Sequence, residues 1–497
     1  MEKTMGTVIC AGKLYTGEGA LRQDAALYFT GDRIRDIGPR DEVITRHPGA
    51  LVLGKSHWMI TPAFIDAHDH GRGVSPVAFG AADRALEQWI PTLCRVRSSA
   101  YEAALYDGLL LASSGVSAVL HSHNPSSWGS MAEELVETAR GYNEAGIRVI
   151  LCPPYVDQNN LVYYKRKEFA DELPEELREE FLSGISDCPF SLSEYFRIVE
   201  TLERQLSYPI STGMASLQLH PAGLQWCSDE TLLAMQAYAQ EHDLGIHMHM
   251  LETKYQRIYS KKWGMSSVEH LDQLGFLTPR LSLAHMVWAE EGDWALLAKR
   301  GVKVVTNPSS NLRLRSGIMP LQTALEAGVV CAVGLDGCGL DDDQDYLREL
   351  RLARYNPGHS GVGAGISPAQ MLAMGTVAGA AVARGEGGVL RKGSWADFVC
   401  LDLNRLCYPF AAPAADPLEL LAVRGTRAAV DRVYVAGDCI VRNGRPCASL
   451  SLEEGGTRLN ETLSALTGPD PGPGVSEALV EAIGQFYKRS EAEGSFQ

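Results

Sequence analysis

Eight short apolar runs, each leading into a stretch with helical spacing, occupy the middle of this sequence and leave few folds open. They lie at 59–68, 116–121, 148–153, 215–220, 245–249, 281–285, 303–306 and 329–336. Between them apolar residues recur at three- and four-residue intervals, as over 229–242 and 292–300. Eight strand–helix repeats predict an α/β fold, a (β/α)8 TIM-type barrel over 61–388, with an open alternating sheet as its rival. A chain of 497 residues is too long for that barrel alone. Strand-like runs separated by Gly and Asp fill both ends, 1–60 and 389–450, and predict one small β-sandwich domain made from the two. The segment 157–214 is long for a single connection and is expected to be an insertion over the barrel mouth, a lid or a solvated hairpin. Residues 451–497 read as a linker, turn-rich at 468–474, and a C-terminal helix over 476–489.

Composition narrows the function. Hydrophobic residues at 45% and charged residues at 21% suit a globular chain with a sizeable core. The net charge of -16 and the lack of a Lys/Arg run speak against nucleic acid as a partner. Eleven cysteines, an odd number with no CxxC pair, fit neither a disulfide framework nor a zinc ribbon and favour the reducing cytoplasm. Residues 1–10 carry no export-signal core, and no run approaches a membrane span. Nucleotide-binding P-loop and GxGxxG patterns, and the HExxH and GxSxG hydrolase patterns, are absent.

The strand ends carry the chemistry, where a barrel places its active site. His68 and His70 are two residues apart in an extended run, so both imidazoles face the same way and can meet one ion. His247 and His249 repeat the arrangement on the fifth run, and Glu252 follows as a carboxylate able to move a proton. His285 ends the sixth run and Asp336 the eighth, and His220 ends the fourth. Each alone has a plain alternative: a hydrogen-bonded loop histidine, a surface glutamate, a turn aspartate. Together they place His68, His70, His249, His285 and Asp336 at the ends of strands one, five, six and eight.

In these motifs the chain resembles the amidohydrolase superfamily, in its branch of cytosine, guanine, S-adenosylhomocysteine and chlorotriazine aminohydrolases. The resemblance covers nearly the whole chain: the run TPAFIDAHDH ending at His70, LHPAGLQWCS from Leu219, the HxHxxET pattern from His247, Ala284 to Trp288, the NPSSNLRL run from Asn307, and Gly334 to Gly337. It implies a hydrolase of carbon–nitrogen bonds other than peptide bonds. Such an enzyme replaces an amino or substituted-amino group on an N-heterocycle with oxygen from metal-activated water. The alternatives are a hydrolase of linear amides, ureas or carbamates and a non-catalytic scaffold. His68, His70, His249 and Asp336 would bind one divalent ion, zinc before iron or manganese. Glu252, His285 and Asp336 would be catalytic, and His247 would lie behind the ligands. No lysine occurs over 211–223, which favours a single ion over a bridged pair. The sequence departs from the family at Ala63, at Gly71-Arg72-Gly73, and at His121 and His123. His220, Arg72 and His123 are the expected substrate contacts. The resemblance also implies a small-molecule substrate and a homo-oligomer, a dimer first.

Overall fold

The computed structural model describes residues 6–183, 190–363, 365–467 and 475–496, so the expected linker at 468–474 lies outside the described residues. Eight parallel strands form a nearly closed barrel: Phe64–Asp69, Val116–Ser122, Arg148–Cys152, Ala215–Pro221, Gly245–Met250, Leu281–His285, Lys303–Thr306 and Val330–Val333, paired in that order. The seam between the eighth strand and the first lacks a regular ladder. It is held by the Asp336 N–H donating to the His68 carbonyl at 2.8 Å and the Leu335 N–H donating to Asp66 Oδ1 at 3.1 Å. The alanine-rich helix Val377–Ala383 packs into one cluster with barrel side chains that include the small Ala67, Ala118 and Ala332.

The predicted first strand, 59–68, is in fact two. Residues 59–62 finish a long strand, Leu51–Pro62, of the second sheet, and the barrel strand starts at Phe64. Ala63 is the point of exchange. Its N–H donates to the Asp397 carbonyl in one sheet, while the next N–H donates to Gly115 in the barrel.

The chain ends build the second sheet. Its order is Arg445–Pro446, Asp438–Arg442, Val430–Val435, Phe398–Asp402, Leu51–Pro62, Thr7–Leu14, Arg22–Thr30 and Arg33–Pro39. The sheet curls until its outer strand meets the approach to its middle: the Ile34 N–H donates to the Ser394 carbonyl at 2.9 Å. Phe29 then meets Phe398 and Tyr434 edge-on, each at 5.7 Å, inside a core shared with Ile9, Leu27, Trp58 and Ile60.

Two further pieces pack around the barrel. Within 157–214, the helices Arg166–Glu172 and Glu175–Ser183 bury Phe169, Ala170 and Phe181 in a cluster with Tyr163 and Tyr259, whereas Leu192–Gln205 buries Tyr195, Val199 and Leu202 in the barrel core. The helix Glu477–Glu493 carries Leu479, Ile483, Phe486 and Tyr487 at helical spacing and packs them onto Val162, Tyr163, Phe169 and Phe181. Among the described residues no helix is long and apolar enough to cross a membrane.

Barrel and sheet are joined by a buried ion pair. Arg148 donates from Nε to Asp397 Oδ2 at 2.8 Å and from Nη2 to Oδ1 at 3.1 Å. Its guanidinium carbon lies 3.7 Å from the Trp395 ring centre. Removing one partner strands the other charge in a dry interface. Asp397→Ala is therefore expected to cost about 3–5 kcal/mol, read as a lower urea midpoint, and an unchanged midpoint would show the pair to be dispensable.

Candidate active site

The strand ends deliver their polar side chains to one place. His68 is fully buried at the end of the first strand, and His70 follows on the turn. Gly71 makes that turn at φ +58°; a Cβ there would lie 2.2 Å from Tyr142 Oη, so no side chain fits. His247 and His249 come from the fifth strand. His285 and Asp336 both have left-handed backbone, at φ 80° and 63°. Non-glycine residues rarely adopt it, and here it turns each chain sharply at the strand end.

The hydrogen bonds behind these rings fix which nitrogen carries the proton. His70 Nδ1–H donates to the Ser122 carbonyl at 2.7 Å, and His249 Nδ1–H to the Ala222 carbonyl at 2.8 Å. A carbonyl only accepts, so Nε2 of both rings is bare. For His68 the argument runs through three groups. The Ser282 hydroxyl donates to the Ile246 carbonyl, so its oxygen accepts from His247 Nδ1–H at 2.7 Å. His247 Nε2 then accepts from His68 Nδ1–H at 2.8 Å, which leaves His68 Nε2 bare. His285 Nδ1–H donates to Asn311 Oδ1 at 2.9 Å, with the same result. Burial, reinforced by the Arg72 charge, pushes the His70 imidazole down to about 4, and burial lowers His68 and His249 as well. His68, His70 and His249 are therefore neutral at physiological pH, the form that binds metal.

Bare nitrogens facing a carboxylate have no proton to share. Nε2 of His68 and of His70 lie 3.1 Å and 3.0 Å from Asp336 Oδ1. One ligand atom each from His68, His249, His285 and Asp336 all fall within 4.8 Å of one another. This donor set fits a divalent cation such as zinc, with each imidazole oriented from behind by a hydrogen bond. His70, expected as a ligand, is outside that tight group but touches its carboxylate; His285, expected to be catalytic, is inside it.

Glu252 stands beside the cluster, 3% exposed. Its Oε2 is 3.7 Å from His285 Nε2, and Oε1 accepts from the Ser316 hydroxyl at 3.3 Å. Burial pushes this carboxyl up to about 7, against the pull of His285. A cavity of about 500 Å³ opens over these groups. Arg72, His123 and His220, the expected substrate contacts, all line it, together with Trp89, Trp128 and Trp226. His121 does not; it is within 3.1 Å of His123, which in turn reaches Glu134.

Sequence reasoning gave no role to Ser282, Asn311 or Glu87. Asn311 ends the NPSSN segment and Ser316 follows it, so a signal was there without a meaning. Glu87 has none. It is buried beneath the cavity wall, where its Oε1 accepts from the hydroxyls of Thr253 and Tyr163 and so ties the turn after Glu252 to the wall.

A parallel barrel with imidazoles and carboxylates converging at its carboxyl end has the form of a barrel enzyme with its active site at that end. The model of the amidohydrolase family matches residues 59–440, and the chain belongs to that family. It is thus a hydrolase of carbon–nitrogen bonds of the amidohydrolase and deaminase type. A 5'-deoxyadenosine deaminase of Methanosarcina barkeri is 28% identical over 396 residues, covering 78% of this chain and 82% of its own length. A 5-methylthioadenosine/S-adenosylhomocysteine deaminase of Pyrococcus furiosus is 28% identical over 427 residues, 83% and 89% of the two chains. An adenosine deaminase of Xanthomonas campestris with bound zinc superposes with a TM-score of 0.76 at 22% identity, covering 93% of this chain and 99% of that one. An atrazine chlorohydrolase of Arthrobacter aurescens complexed with zinc gives 0.75 at 20% identity, covering 93% and 100%.

The Ser282 hydroxyl holds the His247–His68 tautomer chain. Ser282→Ala is expected to weaken metal binding by about 10-fold or more in a chelator competition. Unchanged affinity would mean that the chain of rings does not orient His68.

Proposed function

We propose that this chain is a metal-dependent aminohydrolase that replaces an amino or substituted-amino group on an N-heterocycle with oxygen from water. The observation that carries the reading is the convergence of Glu252, His285 and Asp336: His285 Nε2 lies 3.7 Å from Glu252 Oε2 and 3.8 Å from Asp336 Oδ2, beside the imidazole group. His68, His70, His249 and Asp336 are assigned as the holders of one divalent ion, zinc by the chemistry of nitrogen and carboxylate donors. When bound, such an ion supplies Lewis acidity, which makes a water proton easier to remove at neutral pH.

The residues divide the remaining work. Ser316 occupies Oε1 of Glu252, so Oε2, the oxygen nearer His285, is the atom that takes the proton. A carboxyl pushed up to about 7 accepts and returns a proton with comparable ease near neutrality. His285, pinned through Nδ1 on Asn311, offers a bare Nε2 that orients the attacking water. Glu252 then delivers its proton to the departing nitrogen, a poor leaving group without it. Arg72, His123 and His220 are assigned to the substrate. The size of the cavity and its three tryptophans suit a flat ring. The names of the deaminase relatives support an amine on such a ring as the leaving group.

The test is mass spectrometry of products from zinc-loaded enzyme offered aminopurines, pterins, pyrimidines, triazines, ureas and carbamates. A ring compound that exchanges nitrogen for oxygen and stays whole is the expected product. A linear compound split in two, with every ring untouched, overturns the proposal. Glu252→Gln is expected to keep its metal and lose about 10²–10⁴-fold in kcat; full activity would remove Glu252 from the mechanism.

A further inference from the structure

Arg72 is built into the cavity with its hydrogen-bonding capacity largely unused. The backbone on either side is pressed into the protein. Gly71 is closed in by Tyr142 and His121, and a Cβ on Gly73 would lie 3.0 Å from Leu459 and 3.1 Å from the Ala103 carbonyl. Both glycines have left-handed backbone, φ +58° and +70°. The arginine side chain emerges from this turn two residues after His70, over the same cavity as His249, Glu252 and His285. It also faces a polar side cavity of about 160 Å³ lined by His121, His123, Asn124 and Glu134.

Its partners are few. Nη2 donates one long bond, 3.4 Å, to Asn124 Oδ1, and the guanidinium carbon is 5.7 Å from the Trp89 ring centre. Among the described residues no carboxylate lies within ion-pair distance of it. Arg313, the other arginine of the cavity wall, is the contrast: Asp83, Asp342 and Ser75 all accept from it. Arg313 is held by the protein, and Arg72 is left open to the cavity. A guanidinium presents a planar fork of N–H donors that matches an oxygen pair or an electron-rich oxygen. Trp89 lies near the guanidinium and limits the directions in which it can swing.

We propose that Arg72 recognises an acceptor oxygen on the substrate ring, so that this chain takes oxo- or carboxylate-bearing amino-heterocycles in preference to plain aminopurines. The inference rests on the heterocycle reading above and narrows it. A ring oxo group and a ring carboxylate offer the fork the same acceptor chemistry. A plain aminopurine offers only ring nitrogens and leaves the guanidinium without an anionic or oxo partner.

Calorimetry on the metal-loaded enzyme tests this without turnover. Uracil and xanthine carry the ring oxo group, nicotinate the ring carboxylate, and purine neither. The wild type is expected to bind at least one oxygen-bearing ring about 10-fold or more tightly than purine, and the better of the two kinds identifies the source of the oxygen. Arg72→Met is expected to erase that preference with metal content unchanged, and Arg72→Lys, a point charge without the fork, to restore it only in part. If Arg72→Met loses its metal, Arg72→Lys and Arg72→Gln carry the comparison. A wild type without the preference, no measurable binding included, overturns the proposal, and so does a preference that survives the loss of the guanidinium. Release of amine is measured separately. An Arg72-dependent preference with no amine released from any ring would sink the heterocycle reading alone. Amine release without the preference would sink only this one.

Discussion

Bare nitrogens of His68 and His70 face the carboxylate of Asp336, with those of His249 and His285 close by; His68, His285 and Asp336 are buried, and His70 and His249 are partly open to the cavity. Lone pairs gathered in this way repel unless a cation lies among them, and the donor set fits a divalent ion. The remaining features of the mouth serve that arrangement. Carbonyls of Ser122 and Ala222, the amide of Asn311 and the Ser282–His247 pair hold the rings from behind. Glu252 is buried on the same floor, and that burial raises its proton affinity.

The same residues also close the barrel. Where the eighth strand should pair with the first, the Asp336 N–H meets the His68 carbonyl, and Asp66 takes up Leu335. The ring of strands is completed by the backbones of two residues whose side chains face each other at the proposed ion. Metal geometry and barrel closure are therefore coupled, and a shift in one is felt in the other. Away from this seam, the Arg148–Asp397 pair sets how the second sheet lies against the barrel, and Ala63 passes the chain from one to the other.

Much of this was legible in the sequence, for physical reasons. Strand ends in a barrel face one side, so His68, His249, His285 and Asp336 could be placed together from their positions alone. The apolar runs marked all eight strands. The break at Ala63 was not visible, because residues 59–65 carry no charge and no glycine and a change of partner leaves no mark on hydropathy. Ser282 lies within an apolar strand and reads as an ordinary small residue; its role exists only through a ring from the neighbouring strand. Glu87 is a charged residue in a short helix, which on pattern alone belongs in water. Its burial depends on Tyr163 and Thr253, which are far away in the chain. The family resemblance supplied roles where spacing gave only proximity, and it was silent at Gly71-Arg72-Gly73, where the chain departs from the pattern.

The second sheet has a consequence for how the chain is made. Leu51–Pro62 pairs on one side with Thr7–Leu14 and on the other with Phe398–Asp402. During synthesis the first four strands leave the ribosome long before that second partner, about 340 residues or roughly 20–70 s later at ordinary elongation rates. Throughout that interval the edge of Leu51–Pro62 is unpaired, and Trp58 and Ile60 lack the inner face they finally share with Phe398. The nascent protein thus carries a sticky half-sheet while its barrel assembles. An edge of that kind is open to wrong partners until Phe398–Asp402 covers it.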